Sequence, residues 1–538
     1  MLKRGLFALV LVAIAVPVAK AAEEPRSKPT LVVRLQSIDK LFDHTKFLAE
    51  IVDQDETVKQ FRGIVESRIG EKGLEGFDTK KPIALYGNLG GVLTDSNAVL
   101  MLPVADEKSV LALLDRFEIK TEKDDDGIYL VKKFDKLPED IYFRFANNYI
   151  YATARDKAAI AKDKLLEPGK IFTKDDFGVV AIEFRIDQIP DGLKTAALTQ
   201  IELQFSLEKD KKTPGETATQ HELKGQILDS MFTQLKSVFD DGEQVTVKFD
   251  VDEKGKDIVL EANLTAKKDS RLAGDIADLG KAKSVAAAVL SANAALSGST
   301  RLTLPKDLSK VLAAAFEEGA RENIKKEQNE AARKLGQNLL ETLLPTLSAG
   351  EVDFAFDLRG PSDKGTYTVL AAGGVKNGKD LEKSLRDIAK SLPEEVRARV
   401  KLDADSEGGV AIHTLDVFKD GNDDLKRVLG DGPLYLAVTK DAIFLADGPT
   451  ALTDLKTALK AKPGNGVPLQ FNISVARLGP LMEKDQPAAP KVIEEVFGKN
   501  KDSDKIRISV EGGQSLKAQV KIKADAARFF AKINEQGK

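Results

Sequence analysis

One passage of this chain is written twice, and that repetition limits the possible folds more than any other feature. In residues 142–186, Tyr142-Phe143-Arg144-Phe145-Ala146 and Tyr149-Ile150-Tyr151-Ala152 flank Asn147-Asn148. A helix-like segment (156–166), Pro168-Gly169 and a strand-like run (179–186) follow. In residues 435–475, Tyr435-Leu436-Ala437-Val438-Thr439 and Ala442-Ile443-Phe444-Leu445 flank Lys440-Asp441. A second helix-like segment (449–459), Pro463-Gly464 and a run over 469–475 come after them. Alternating apolar residues around two turn-forming residues specify a β-hairpin. A two-residue turn at Asn147-Asn148 sets Phe145 opposite Ile150 and Phe143 opposite Ala152, and Asn tolerates the positive φ it requires. In the second copy Val438 faces Ile443 and Leu436 faces Leu445.

The elements around these hairpins also recur in order. A strand at 30–35, a helix from Ser37 and Asp39, and strands at 82–89 and 98–104 lead to Asp106, a good N-cap for a helix through Phe117. A second helix is expected over 56–69. In the other half, 285–291 stands for the first strand, 305–344 is a longer helical region, and 351–358 and 367–372 are strands. Asp380 opens the helix that answers the one after Asp106. Each half closes with a hairpin, 245–251 with 258–264 and 506–510 with 516–522, followed by a short helix. The fold class expected is α+β: two similar halves, 30–280 and 284–538, each a mostly antiparallel sheet with helices packed on one face. At 538 residues the chain exceeds what one core supports, which fits more than one unit.

The N-terminus reads as an export signal. Lys3 and Arg4 precede an apolar run at 6–16, and Ala19-Lys20-Ala21 is a small-x-small cleavage site. Residues 1–21 are the signal and 22–29 a linker. The alternative is an uncleaved signal kept as an anchor, although the run is short for a bilayer span. Loss of Lys3, Arg4 and Lys20 makes the chain more acidic than its formal charge of −4, which argues against nucleic acid as a partner. No other long apolar run appears, so no transmembrane segment is expected after cleavage, and the product is periplasmic or extracellular. Cysteine is absent, which excludes disulfides, thiolate metal sites and cysteine nucleophiles.

No motif demands catalysis. The three histidines, His44, His221 and His413, lie in no zinc pattern, and no serine sits in a Gly-x-Ser-x-Gly elbow. Glu122, Asp124, Asp126 and Gly127, and likewise Asp403, Asp405, Glu407 and Gly408, begin like calcium loops. The position of the bidentate glutamate is Lys133 in one and Thr414 in the other, so both read as hairpin turns. The loop 360–366 has the glycine spacing of a phosphate loop without its lysine. Phe529-Phe530 reads as the buried side of a terminal helix. No catalytic, cofactor-binding or metal-ligating residue is assigned, and no cofactor is expected.

The run Leu100-Met101-Leu102-Pro103-Val104-Ala105-Asp106 before a helix, together with the Tyr142 hairpin, resembles uncharacterised exported bacterial proteins with duplicated α+β units, grouped under domains of unknown function. The resemblance spans most of the chain after residue 21 and brings no functional residues with it. The function expected is a non-catalytic binding or structural protein of the cell envelope, its partner an envelope protein or a hydrophobic ligand. The alternatives are a carrier of a lipid or other hydrophobic ligand in a cavity between sheet and helices, and, third, a hydrolase. Function is expected where the halves differ, at 193–239 and 305–344.

Overall fold

A computed structural model describes residues 28–52, 74–91, 95–133, 139–154, 156–172, 177–327, 330–416, 423–498, 500 and 502–536. The expected signal (1–21) and the expected helix at 56–69 lie outside them. The described chain divides into two compact units. One runs to Gln200 and includes Val238–Lys267; the other comprises Ile201–Ser237 and everything from Lys268. Both are mixed α/β with antiparallel sheets.

The first unit contains β1 (Leu31–Leu35), β2 (Ile83–Asn88), β3 (Asn97–Pro103), β4 (Glu122–Lys123), β5 (Tyr129–Val131), β6 (Ile141–Ala146), β7 (Tyr149–Ala154), β8 (Val180–Arg185), β9 (Gly242–Asp252) and β10 (Asp257–Ala266). Their order across the sheet is β4-β5-β6-β7-β3-β2-β1-β8-β9-β10, with every neighbour antiparallel. Helix α1 (Ile38–Ile51) follows β1, capped by the Ser37 side chain, which accepts from the Lys40 N–H. Helix α2 (Glu107–Arg116) follows β3, and Asp106 accepts from the Ser109 N–H at 2.8 Å. Between β8 and β9 run α3 (Asp191–Asp210) and α4 (Ala218–Asp241), whose distal parts belong to the second unit.

The hairpin β6–β7 has the expected register, Phe145 opposite Ile150 and Phe143 opposite Ala152. Asn147 and Asn148 both take positive φ, 51° and 59°, as a two-residue turn requires. Its two faces bury different cores. Tyr149 and Tyr151 join Val32, Tyr86, Met101 and Ile160 on one face; Phe143, Ile150 and Ala152 join Leu100 and the α2 residue Val110 on the other. Full burial of side chains this size contributes about 1.5–3 kcal/mol each. Arg144 is buried as well, and its guanidinium donates to the carbonyls of Ile160 and Asp126 at 2.9 and 2.6 Å.

The second unit contains β11 (Ala294–Thr303), β12 (Glu351–Arg359), β13 (Thr368–Gly374), β14 (Val400–Glu407), β15 (Val410–Leu415), β16 (Leu434–Val438), β17 (Ala442–Asp447), β18 (Leu469–Ser474), β19 (Lys505–Glu511) and β20 (Leu516–Lys523). The order is β14-β15-β16-β17-β13-β12-β11-β18-β19-β20, again all antiparallel. Besides the distal parts of α3 and α4, its helices of eight or more residues are α5 (Arg271–Leu279), α6 (Lys306–Lys326), α7 (Glu330–Ser348), α8 (Gly378–Ser391), α9 (Ala451–Lys460), α10 (Val475–Met482), α11 (Ala489–Phe497) and α12 (Ala524–Gln536).

Several expectations are corrected. Residues 285–291 are not a strand. The Asp353 carboxylate accepts from the Ser284 hydroxyl and from the Val285 N–H, and the Ser284 hydroxyl accepts from the Ala287 N–H. These bonds hold Ala286–Val289 as a 3-10 turn, its Ala286 and Val289 fully buried, and the strand begins at Ala294. The segment 156–166 forms two 3-10 turns, Lys157–Ile160 and Lys162–Lys164, rather than a helix. Helices do not keep to one sheet face. In the second unit α9 covers Ala437 and Phe444, whereas α8 covers their neighbours Leu436 and Val438 on the opposite side. Leu436-Ala437-Val438 is apolar at consecutive positions, the signature of a strand buried on both faces.

Candidate apolar binding faces

Direct pairing puts residues on one face, so the registers trace rows across each sheet. In the first unit one row runs Phe143, Ala152, Leu100, Leu85, Val33, Ile182, Val247, Ala262. Adjacent rows on this face include Val180, Phe249 and Leu260, and Phe184, Val245 and Leu264. The face is apolar from β6 to β10. Among the described residues, helix α2 packs over it from β6 and β7 through β3 to Leu85 on β2. Farther along, Ile182 is 41% exposed, Val247 37% and Leu260 49%.

On β8 the alternating apolar residues Ile182 and Phe184 lie on the less covered face. Ala181 and Arg185 are the buried strand residues, and Ile186 is buried only because the chain leaves the sheet there. The opposite face of β8 holds a charged chain. Arg34 meets Glu183 at 2.9 Å, and Arg185 contacts Glu183, Asp187 and Glu243 at 3.2–3.5 Å. Those ion pairs occupy that face, while Ile182 on the apolar one is exposed.

The second unit also has an apolar row with exposed members, here opposite a buried apolar core. One row runs Leu436, Leu445, Ala371, Phe356, Gly298, Phe471, Ile508, Val520. Phe354 belongs to the same face of β12 as Phe356. Phe354 and Leu445 are 45% and 37% exposed. The rings of Phe354, Phe356 and Phe471 form a chain of contacts with centroids 6.2–6.3 Å apart. Helix α8 closes the β16 end through Leu381 and Leu385, and α10, α11 and α12 pack beside Ile473, Ile506 and Ile522.

Helix α8 is clamped to the sheet by a charged network. His413 on β15 is 1% exposed; its Nε2 lies 3.0 Å from Glu382 on α8, and its Nδ1 accepts from the Asp403 N–H at 3.0 Å. These partners assign the proton to Nε2. Arg386 spans Asp403 through both terminal nitrogens (2.7 and 2.6 Å) and reaches Glu382 at 2.7 Å. The Arg386 bond holds the Asp403 carboxyl below its usual range. With both ring nitrogens engaged, His413 has no lone pair left to act as a general base.

The other sequence candidates are also structural. His44 Nε2 is 3.1 Å from Gln36, and its Nδ1 is 3.0 Å from Glu253; His221 Nδ1 is 3.2 Å from Glu216. Asp124 accepts from the N–H groups of Ile128 and Asp126 and pairs with Lys157 at 3.0 Å, and these contacts depress its pKa, Ile128 most. Glu122 pairs with Lys132, Asp405 with Lys456 and Glu407 with Lys460. These carboxylates therefore already have cations. Among the described residues no group of three or more His, Asp or Glu is arranged to hold a metal. The loop 360–366 closes on itself through Ser362 and Thr366. Phe529 is fully buried against Phe497, and Phe530 is half exposed.

A cavity of about 260 Å³ lies between α7 and α8, lined by Asn338, Glu341, Thr342, Asn377, Asp380 and Ser384. It is polar and smaller than the roughly 300–1,000 Å³ of ordinary ligand pockets. Among the described residues no helix is long and apolar enough to cross a membrane. Compared with known protein families, curated proteins and solved structures, the chain has no match.

Proposed function

We propose that this protein is a non-catalytic binding protein that holds a hydrophobic ligand against the uncovered apolar faces of its sheets. One observation carries this reading: Ile182, Val247 and Leu260, on three adjacent strands of one apolar face, remain 37–49% exposed. Isolated exposed hydrophobics are ordinary, but a contiguous apolar patch marks an interaction surface. The face offers no donor or acceptor side chain over β8 and β10, so the fitting occupant is hydrocarbon rather than a protein surface with a polar rim. The open sheet favours a ligand laid on a surface over one enclosed in a cavity.

Two further readings accompany it. The pattern at residues 1–21 supports export to the cell envelope, where acyl chains are abundant. The shared strand order of the two sheets, element for element from β1/β11 to β10/β20, supports duplication of one α+β unit into halves near 30–280 and 284–538. The exposed apolar residues lie on different strands in the two units, on β8, β9 and β10 in the first and on β12 and β17 in the second. Native mass spectrometry of the purified full chain, followed by organic extraction, tests the function. Co-purified acyl lipid, or uptake of added palmitate, is the expected result; a protein that carries none and takes up none contradicts it.

A further inference from the structure

We propose that His413 is a proton-operated latch on β14, the strand at one end of the second unit's sheet. The pairing of β14 with β15 breaks at this residue. Lys401 lies opposite Thr414 and Asp405 opposite Ile412, so residues 402–404 bulge against His413 alone. Within the bulge Asp403 takes φ 53°, a left-handed backbone that residues other than glycine adopt only at some cost. Its N–H is accepted by the His413 Nδ1 at 3.0 Å, so an imidazole fixes the backbone where the ladder is interrupted.

A second proton can enter the ring only at Nδ1. Nε2 already carries one and donates it to Glu382, whose oxygens lie 3.0 and 3.2 Å away. The imidazolium would then aim an N–H at the Asp403 N–H, and two donors cannot hold each other. The ring is 1% exposed, so little water is at hand to come between them.

The charges around the ring decide which contact gives way. Glu382 and Arg386 stand on α8 and Asp403 on β14, while the β16 residue opposite His413 is the apolar Leu436. Asp405 pairs instead with Lys456 on α9. Arg386 is matched by Glu382 and by both oxygens of Asp403. A positive ring draws the Glu382 carboxylate more strongly, so His413 stays with α8 and the Asp403 N–H leaves. Acid therefore frees the bulge of β14 and tightens the contact between β15 and α8.

The test is hydrogen–deuterium exchange of the full chain, read by mass spectrometry between about pH 8 and pH 5, where imidazoles change charge, and corrected for intrinsic rates. The Asp403 carboxyl, held below its ordinary range chiefly by the Arg386 bond, stays ionised throughout. In the wild type, protection over 400–407 is expected to fall severalfold on acidification while β12 keeps its own. In His413→Asn an amide oxygen can accept from the Asp403 N–H without taking a proton, so protection should not follow pH. Glu382→Gln keeps an acceptor but loses the charge, and the fall should move down by about one pH unit. If His413→Asn does not fold, Glu382→Gln decides. Protection in the wild type that ignores pH, a fall that persists in His413→Asn, or an unmoved midpoint in Glu382→Gln overturns the latch.

Discussion

Ile182 on β8 and Val247 on β9 sit directly opposite one another, and both side chains are open to solvent. A cross-strand pair of this kind normally secures a sheet by burial. Here it secures little, so its apolar character is free to serve binding. Ile182→Thr and Val247→Thr keep β-branched side chains and should change stability by less than about 0.5 kcal/mol each. The double variant should nevertheless lose uptake of a fluorescent fatty acid by the first unit's face. A drop in melting temperature large enough to explain lost uptake would mean that the pair is structural.

His413 is bound from both sides. Its replacement by leucine would leave the Glu382 carboxylate short of a donor and the Asp403 N–H without an acceptor, at a cost of about 2–4 kcal/mol. Denaturant unfolding should register that loss, and hydrogen exchange should locate it in β14 and α8. Equal stability would show that water replaces both contacts.

The Asn147-Asn148 turn gives a conformational prediction. Asn148 has φ 59°, a region costly for β-branched side chains. Asn148→Val should destabilise the first unit by about 1–2 kcal/mol, whereas Asn148→Gly should be neutral or stabilising. The two melting curves, measured against wild type, separate backbone strain from loss of the amide side chain.

Asp357 supplies a pH dependence. It is fully buried, and burial raises its carboxyl above the ordinary 3.8 despite the Arg359 contact. The folded state therefore holds this proton more tightly than the unfolded chain. The stability contributed is complete below the unfolded value and is lost as pH rises through the folded one. Asp357→Asn keeps the neutral shape, so its melting temperature relative to wild type should climb from pH 3 to pH 7. A relative melting temperature that falls over this range would mean that the Arg359 pair outweighs desolvation.

Much of this fold was legible because its signals are local. Ser37 and Asp106 cap helices from within three residues, and the hairpin registers follow from the turn and alternating apolar positions. What failed depends on distant partners. The turn at Ala286–Val289 is fixed by Asp353, far along the chain, and α10 was missed because Asp504 supplies the acceptor for its Ala476 N–H while Pro480 interrupts the pattern. The exposed apolar face was half legible. Period-two alternation places Ile182 and Phe184 on one face, but alternation cannot tell a covered apolar face from an open one. Only tertiary packing decides that Val110 and Leu381 cover part of each face while Ile182, Val247, Leu260, Phe354 and Leu445 stay exposed.

The chain contains no tryptophan, so one introduced at the open face reports on that face alone. Ile182→Trp in the full chain, titrated with palmitate, measures the central claim. A saturable blue shift of the indole emission, reversed when defatted albumin removes the fatty acid, is the predicted result. Emission that stays at its solvent-exposed wavelength throughout the titration would contradict the assignment of this face to a hydrophobic ligand.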